Sequence, residues 1–273
     1  FMRAHGHFGQ PNPYAGYLAS VLPLAVVCAI ASPTRRFRLL AAGCALCAGL
    51  AIVMSFSRGA WLGLVLGFVV MLLSWRRSAV RAVAALGFVG VLFGVLAATG
   101  LLPPVLADRI APVVEYFGVF DVRGVRPTPE NFALIERLAH WQAGWEMFQE
   151  QPLLGVGAGN YPARYIDYAL PGWPESLGHA HNYYLNMAAE AGIVAFCALL
   201  WMLGSLMWCA RSAFLRSSGF HRALALGLLG STVVFSVHSF FDNLLVNSMA
   251  IQIGAFLGLT IVLHESSLEQ PVG

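Results

Sequence analysis

The sequence predicts an all-α, polytopic membrane bundle of about seven transmembrane helices, with one long outer loop containing an amphipathic helix. Three observations carry that prediction. Hydrophobic residues make up 58% of the chain and charged residues only 11%, with a mean hydropathy of +0.70; a soluble domain carries about 25% charged residues. Apolar runs able to cross a hydrocarbon core of ~30 Å recur along the chain. Arginines gather in alternate links between those runs, as the positive-inside rule requires of a chain that crosses repeatedly.

The apolar segments run approximately from Tyr14 to Ala31, Phe37 to Phe56, Ala60 to Trp75, Ala82 to Leu102, Tyr183 to Ala210, Ala223 to Phe241 and Val246 to His264. Each is apolar on every side rather than along one stripe, the pattern of burial in lipid. The third is short and is expected to tilt or sit partly sunken. Arg35, Arg36 and Arg38 occupy the first link, Arg76, Arg77 and Arg81 the third, and Arg211, Arg216 and Arg222 the link before the sixth segment. These links are assigned to the cytoplasm, which puts Arg3 and Arg58 outside and the C-terminus inside. The expected organisation is four transmembrane helices over 1–102, an extracytoplasmic loop over 103–182, and three transmembrane helices with a short cytoplasmic tail over 183–273.

All sixteen basic residues are arginine, and a net charge of +3 gives no reason to expect nucleic acid. Cys28, Cys44, Cys47, Cys197 and Cys209 lie in apolar stretches or at their ends, where thiols behave as small hydrophobes. The Cys44/Cys47 pair lacks the partner cysteines of a metal site. The polar stretch from Phe1 to Tyr14 does not read as a signal peptide. With Phe ahead of the first Met, the chain is expected to be part of a longer protein.

The long loop has its own helical pattern from Asn131 to Glu150, with Leu134, Leu138, Trp141, Trp145 and Phe148 at three- and four-residue spacings. Pro127 and Pro129 precede it and Pro152 follows it, as helix punctuation requires. Such a helix is expected to lie on the outer membrane surface or to roof a cavity.

Four polar clusters are assigned to this outer side. Ser57-Arg58-Gly59 stands at the mouth of the second span. Arg58 either snorkels to the interface or binds an anion, since a guanidinium forks across two phosphate oxygens and keeps its charge. Glu136, Arg137, His140 and Trp141 follow on the loop helix, where a Glu/Arg solvent pair is the plain alternative. The run Gly155, Gly157, Gly159 lacks the strand and Lys of a phosphate loop and reads as a tight turn, with Asn160 or Arg164 as its polar contacts. Last come His179, His181, Asn182, Tyr183 and Tyr184, entering the fifth span. A neutral imidazole there can take a proton from a hydroxyl near neutral pH; the plain alternative is a helix cap. His5, His7, His140 and His238 share this side, but no carboxylate or Cys stands at metal spacing beside the histidines, so no metal is expected. Glu190 inside the fifth span and Asp242 at the end of the sixth are deep enough to need a cavity or a partner; Glu190 with Arg58 and Asp242 with Arg137 are the candidate pairs.

On these residues the chain resembles the superfamily of O-antigen ligases and O-antigen polymerases, bacterial membrane glycosyltransferases. Gly6-His7-Phe8-Gly9-Gln10-Pro11-Asn12-Pro13-Tyr14-Ala15 is similar to the family's approach to a span, and Ser57-Arg58-Gly59-Ala60-Trp61 to its S-R-G motif. Arg137 to Trp141, then Pro152, Gly155 and Gly157, resemble its outer-loop pattern. His181-Asn182-Tyr183-Tyr184-Leu185, then Glu190 and Gly192, resemble its H-N-x-Y-L…E-x-G pattern. The pieces stand in family order over nearly the whole chain, in the manner of the C-terminal part of a member.

The resemblance implies transfer of a glycan from undecaprenyl pyrophosphate to an acceptor hydroxyl, without metal or other cofactor and with inversion at the anomeric carbon. It implies a multi-pass protein of the bacterial inner membrane acting on its extracytoplasmic face in lipopolysaccharide or polysaccharide synthesis. The partners would be the lipid-linked glycan, a lipid A core or growing glycan, and the bilayer. Arg58 and Arg137 would hold the pyrophosphate. His181 would be the general base, with His179 as fallback. Trp141, Asn182, Glu190 and Arg164 would contact substrate. A small-solute transporter is the alternative from another class; against it, the ionisable groups gather at one face rather than at the midplane.

Overall fold

The computed structural model describes residues 3–76, 87, 95, 96, 99, 100, 121–129, 131–247 and 249–269. The expected fourth span, Ala82 to Leu102, falls almost wholly outside them. Among the described residues the regular structure is helical: α1 (Pro11–Ala31), α2 (Arg35–Ser55), α3 (Arg58–Trp75), α4 (Phe132–Glu150), α5 (Tyr161–Tyr168), α6 (Tyr183–Arg216), α7 (Gly219–His238) and α8 (Met249–Leu268), with a 3-10 turn at Gly6–Phe8. Six of these, all but α4 and α5, are long and apolar enough to cross a membrane. The chain is a multi-pass membrane protein.

Of the six, α7 is the most buried and α2 the least. Helices in lipid gain little from hiding apolar surface from one another, so they associate through close van der Waals contact at small residues. α3 and α7 meet in that way. A Cβ on Gly67 would lie 2.6 Å from Val234 Cγ2, and one on Gly63 would lie 3.0 Å from the Val234 carbonyl oxygen. Gly227 of α7 receives Val27 and Leu24 of α1 equally closely. At the far end of the bundle the Arg222 guanidinium lies 4.6 Å from the Phe214 ring centroid and 5.5 Å from that of Trp75.

α6 is broken at Gly192, whose φ of 70° and ψ of −170° leave the helix. An unbroken helix would pair the Ala189 and Glu190 carbonyls with amides four residues on. Here the loop after α4 takes those places. Val156 N donates to Ala189 O and Gly157 N to Glu190 O, both at 2.9 Å, while Ile193 N donates to Pro152 O at 2.8 Å. A Cβ on Gly192 would collide with the Leu153 carbonyl, and one on Gly155 with the backbone at Glu190 and Ala191. Gly155 in the loop after α4 and Gly192 after Glu190, far apart in sequence, are therefore two halves of one clasp.

α4 runs where the periodicity put it but turns a different face inward. Ile135, Leu138, Ala139, His140, Ala143, Gly144 and Met147 are buried, while Trp145 is 51% exposed. The inward stripe is built of small residues because α4 packs closely on the start of α6: a Cβ on Gly144 would lie 3.3 Å from Leu185 Cγ. The helix thus lies over the mouth of the bundle, above the polar residues described next.

Candidate active site

The N-termini of α1, α3, α6 and α8 and the C-termini of α2 and α7 meet at one end of the bundle. Arg3 is anchored there, with Nε donating to Ser55 O at 2.7 Å and Nη2 to Asn12 Oδ1 at 3.1 Å. Ser57 Oγ lies 3.5 Å from His238 Nε2. Gly59 is required beside them, because a Cβ there would lie 2.7 Å from His238 Cδ2. Burial lowers the Arg3 pKa, the charges of Arg137 and Arg58 lower it further, and Asp242 opposes them. Three guanidiniums and one carboxylate therefore share this mouth. Among the described residues neither Arg58 nor Arg137 forms an ion pair, so both remain available to an anion.

Asp242, in the turn after α7, is buried and lies 3.3 Å through Oδ1 from His181 Nδ1. Burial alone would raise its pKa. The hydrogen bond from His181, the charges of His181 and Arg137, and that of His179 outweigh burial and hold it at about 2. An ionised carboxylate only accepts, so the His181 proton sits on Nδ1 and the lone pair on Nε2. That Nε2 is buried and has no hydrogen-bond partner among the described residues. His179 has the opposite tautomer. Its Nδ1 accepts from His181 N at 3.1 Å, so its neutral ring carries the proton on Nε2. This contact supports His181 in a left-handed conformation, φ 50°.

His140 completes the cluster from α4, with ring centroids 5.7 Å from His181 and 4.6 Å from Tyr165, on which it stacks. The pKa of His140 is lowered to about 4 by burial first and then by the His181 and His179 charges. That of His179 is also lowered to about 4, by burial and then by His181 and Arg137 against Asp242.

The remaining expected site residues divide. Asn182 caps α6, its Oδ1 accepting from Leu185 N at 3.1 Å. Glu190 Oε1 accepts from Tyr161 N at the start of α5, at 3.0 Å, and the Tyr161 hydroxyl donates to the His140 carbonyl at 3.0 Å. Glu190 thus meets the histidines through Tyr161 rather than directly. The candidate pairs form differently, with Glu190 on a backbone amide instead of Arg58 and Asp242 on His181 instead of Arg137. Trp141 packs at the edge of the cluster around Val122, Ile135, Leu138 and Leu170. Arg164 turns to Asp167, 3.1 Å away, and to Tyr168 on its own helix.

Three members of the site did not emerge from the motifs: Arg3, His140 as a ring neighbour of His181, and Asp242 as its partner. Asp242 had a signal, an ionisable group at a span end, but its partner is 61 residues away in the chain. Its position also corrects the expectation that no carboxylate stands beside the histidines. One ligand atom each from His179, His181 and Asp242 all lie within 4.8 Å of one another, close enough to hold a metal ion.

The fold and site together are those of a polytopic helical membrane protein with arginines and a carboxylate-bound histidine gathered at one mouth. Residues 43–200, more than half of the chain, match the family model described as O-antigen ligase. The chain belongs to the O-antigen ligase family, and the family gives it glycan transfer of the ligase or polymerase type with lipid-linked glycan as substrate. No individually curated protein matches it.

Proposed function

We propose that this protein moves a glycan from undecaprenyl pyrophosphate to an acceptor hydroxyl at the extracytoplasmic face of the bacterial inner membrane, independently of metal and with inversion. The observation that carries the reading is the His181–Asp242 pair, with Nε2 left free beside three guanidiniums. The donor's pyrophosphate would lie against Arg58 and Arg137, with Arg3 as a third, fixed positive charge. The acceptor hydroxyl loses its proton to His181 Nε2 as its oxygen attacks the anomeric carbon. The bond from that carbon to the pyrophosphate oxygen breaks, and its electron pair leaves with the pyrophosphate. Arginines aimed at that oxygen stabilise charge where it develops. Asp242 holds the imidazole in the right tautomer and stabilises the imidazolium. His181 is favoured over His179 as the base because the only lone pair of neutral His179 is already occupied by His181 N.

A metal-assisted transfer is the second reading, favoured by the spacing of His179, His181 and Asp242. It is the weaker one, since both Nδ1 atoms already hold hydrogen bonds and the neighbouring guanidiniums repel a dication.

The test separates binding from chemistry. Arg58→Ala and Arg137→Ala should lose affinity for undecaprenyl-pyrophosphate-linked glycan, while His181→Ala should bind it normally and fail to transfer. Normal transfer by all three would refute the proposal.

A further inference from the structure

A cavity of about 200 Å³ opens beside the histidines, lined by Phe8, Gln10, Pro13, His179, Val246 and Asn247. Three separate stretches build it: the chain leading into α1, the loop leading into α6, and the turn between α7 and α8. Among the described residues no Arg, Asp or Glu lines it, so its chemistry differs from that of the arginine-rich mouth and suits a neutral ligand. Pockets that enclose a whole drug-sized ligand are roughly 300–1,000 Å³; this one has room for a single sugar ring.

Its polar groups point the same way. Asn247 adopts a left-handed conformation, φ 49°, and its Nδ2 donates to Phe8 O at 3.3 Å. That contact ties two walls together and leaves Oδ1 to accept. The Gln10 carboxamide makes no hydrogen bond among the described residues, so it offers both a donor and an acceptor. His179 carries its proton on Nε2, a further donor. The Phe8 ring, Pro13 and Val246 supply apolar surface. Amides for hydroxyls and an aromatic ring for a carbohydrate's C–H face are the means by which a protein holds an uncharged sugar. The His179 ring that forms the inner wall meets the His181 ring edge-on, with centroids 4.4 Å apart.

We infer that this cavity is the acceptor subsite, taking one uncharged pyranose ring against the His179 ring, next to His181. The inference rests on the glycan-transfer reading and adds where the second substrate sits. The proton of the bound hydroxyl goes to His181 Nε2 as the C–O bond forms and the pyrophosphate departs.

The test uses the purified protein in nanodiscs with undecaprenyl-pyrophosphate-linked repeat as donor. Two acceptors run in parallel: lipid A core, and a second lipid-linked repeat. Gln10→Ala and Asn247→Gly, the latter keeping the left-handed backbone accessible, are each expected to raise acceptor KM about tenfold, the loss of roughly one neutral hydrogen bond. Donor affinity should stay at the wild-type value. Gln10→Trp, which fills the cavity, should abolish transfer and spare donor binding. The arm in which KM moves identifies the acceptor's source. Unchanged acceptor KM in both arms, or a loss of donor affinity, would overturn the assignment. Wild-type protein that neither binds donor nor transfers would instead overturn the glycan-transfer reading itself.

Discussion

Gly192→Ala removes no side chain and adds one methyl group, yet it should dismantle the roof of the site. The native φ of 70° and ψ of −170° belong to a region that essentially only glycine enters, and forcing another residue there costs about 1–3 kcal/mol. The added Cβ would also overlap the Leu153 carbonyl, so the loop must withdraw. Withdrawal breaks the three main-chain bonds made by Val156 N, Gly157 N and Ile193 N, at about 1 kcal/mol each. Together these come to about 5 kcal/mol, or a melting temperature lower by roughly 10–20 °C. Gly258→Ala, in α8 with open space around the added methyl, is the matched control and should be neutral or slightly stabilising. Thermal unfolding of both variants in nanodiscs, followed by tryptophan fluorescence, measures the difference. Transfer should fall with Gly192→Ala too, because Glu190, Tyr161 and His140 depend on the clasp. Equal melting temperatures and full transfer for the two variants would refute the reasoning.

Asp242→Asn keeps the size of the side chain but no longer demands the proton on His181 Nδ1; transfer should fall about a hundredfold with donor affinity kept, as steady-state kinetics will show. Arg3→Gln should weaken donor binding less than loss of Arg58 does, because Arg3 is tied to Ser55 and Asn12; direct binding of lipid-linked glycan checks the order. His140 and His179 have folded pKa values of about 4 against 6.5, so between those values the unfolded chain binds more protons. Their stabilisation is complete above about pH 6.5 and is lost as pH falls towards about 4. Melting temperature should drop across that window, and His140→Gln should flatten the slope. Asp242, held at about 2 against 3.8, acts only in the more acid range below that window.

The spans were legible because lipid imposes a simple demand: a helix apolar all round for long enough to cross. Six of the seven expected segments coincide with helices of that kind. The face of α4 was not legible. Periodicity weighs bulky residues such as Trp145, whereas close helix contact selected Ala139, Ala143 and Gly144. The motif residues were visible as residues, but their tasks were not. Glu190 reads from sequence as a deep charge in need of a cavity or a partner, and it accepts from the Tyr161 amide rather than from Arg58. Asp242 and His181 are joined only by the packing of α6 on α7, for which the sequence has no local sign. Arg3 read as a topology marker; the turn at Gly6–Phe8 and its bond to Ser55 bring it beside Arg58.

The proposed reaction is a displacement at the anomeric carbon with His181 as base, without metal. The most direct test is to run transfer from undecaprenyl-pyrophosphate-linked glycan in the presence of chelator, with wild type and His181→Ala, and to read the new glycosidic linkage by NMR. Wild type in chelator is expected to give product of inverted anomeric configuration, and His181→Ala none. Retained configuration, a requirement for added divalent cation, or undiminished product from His181→Ala would contradict it.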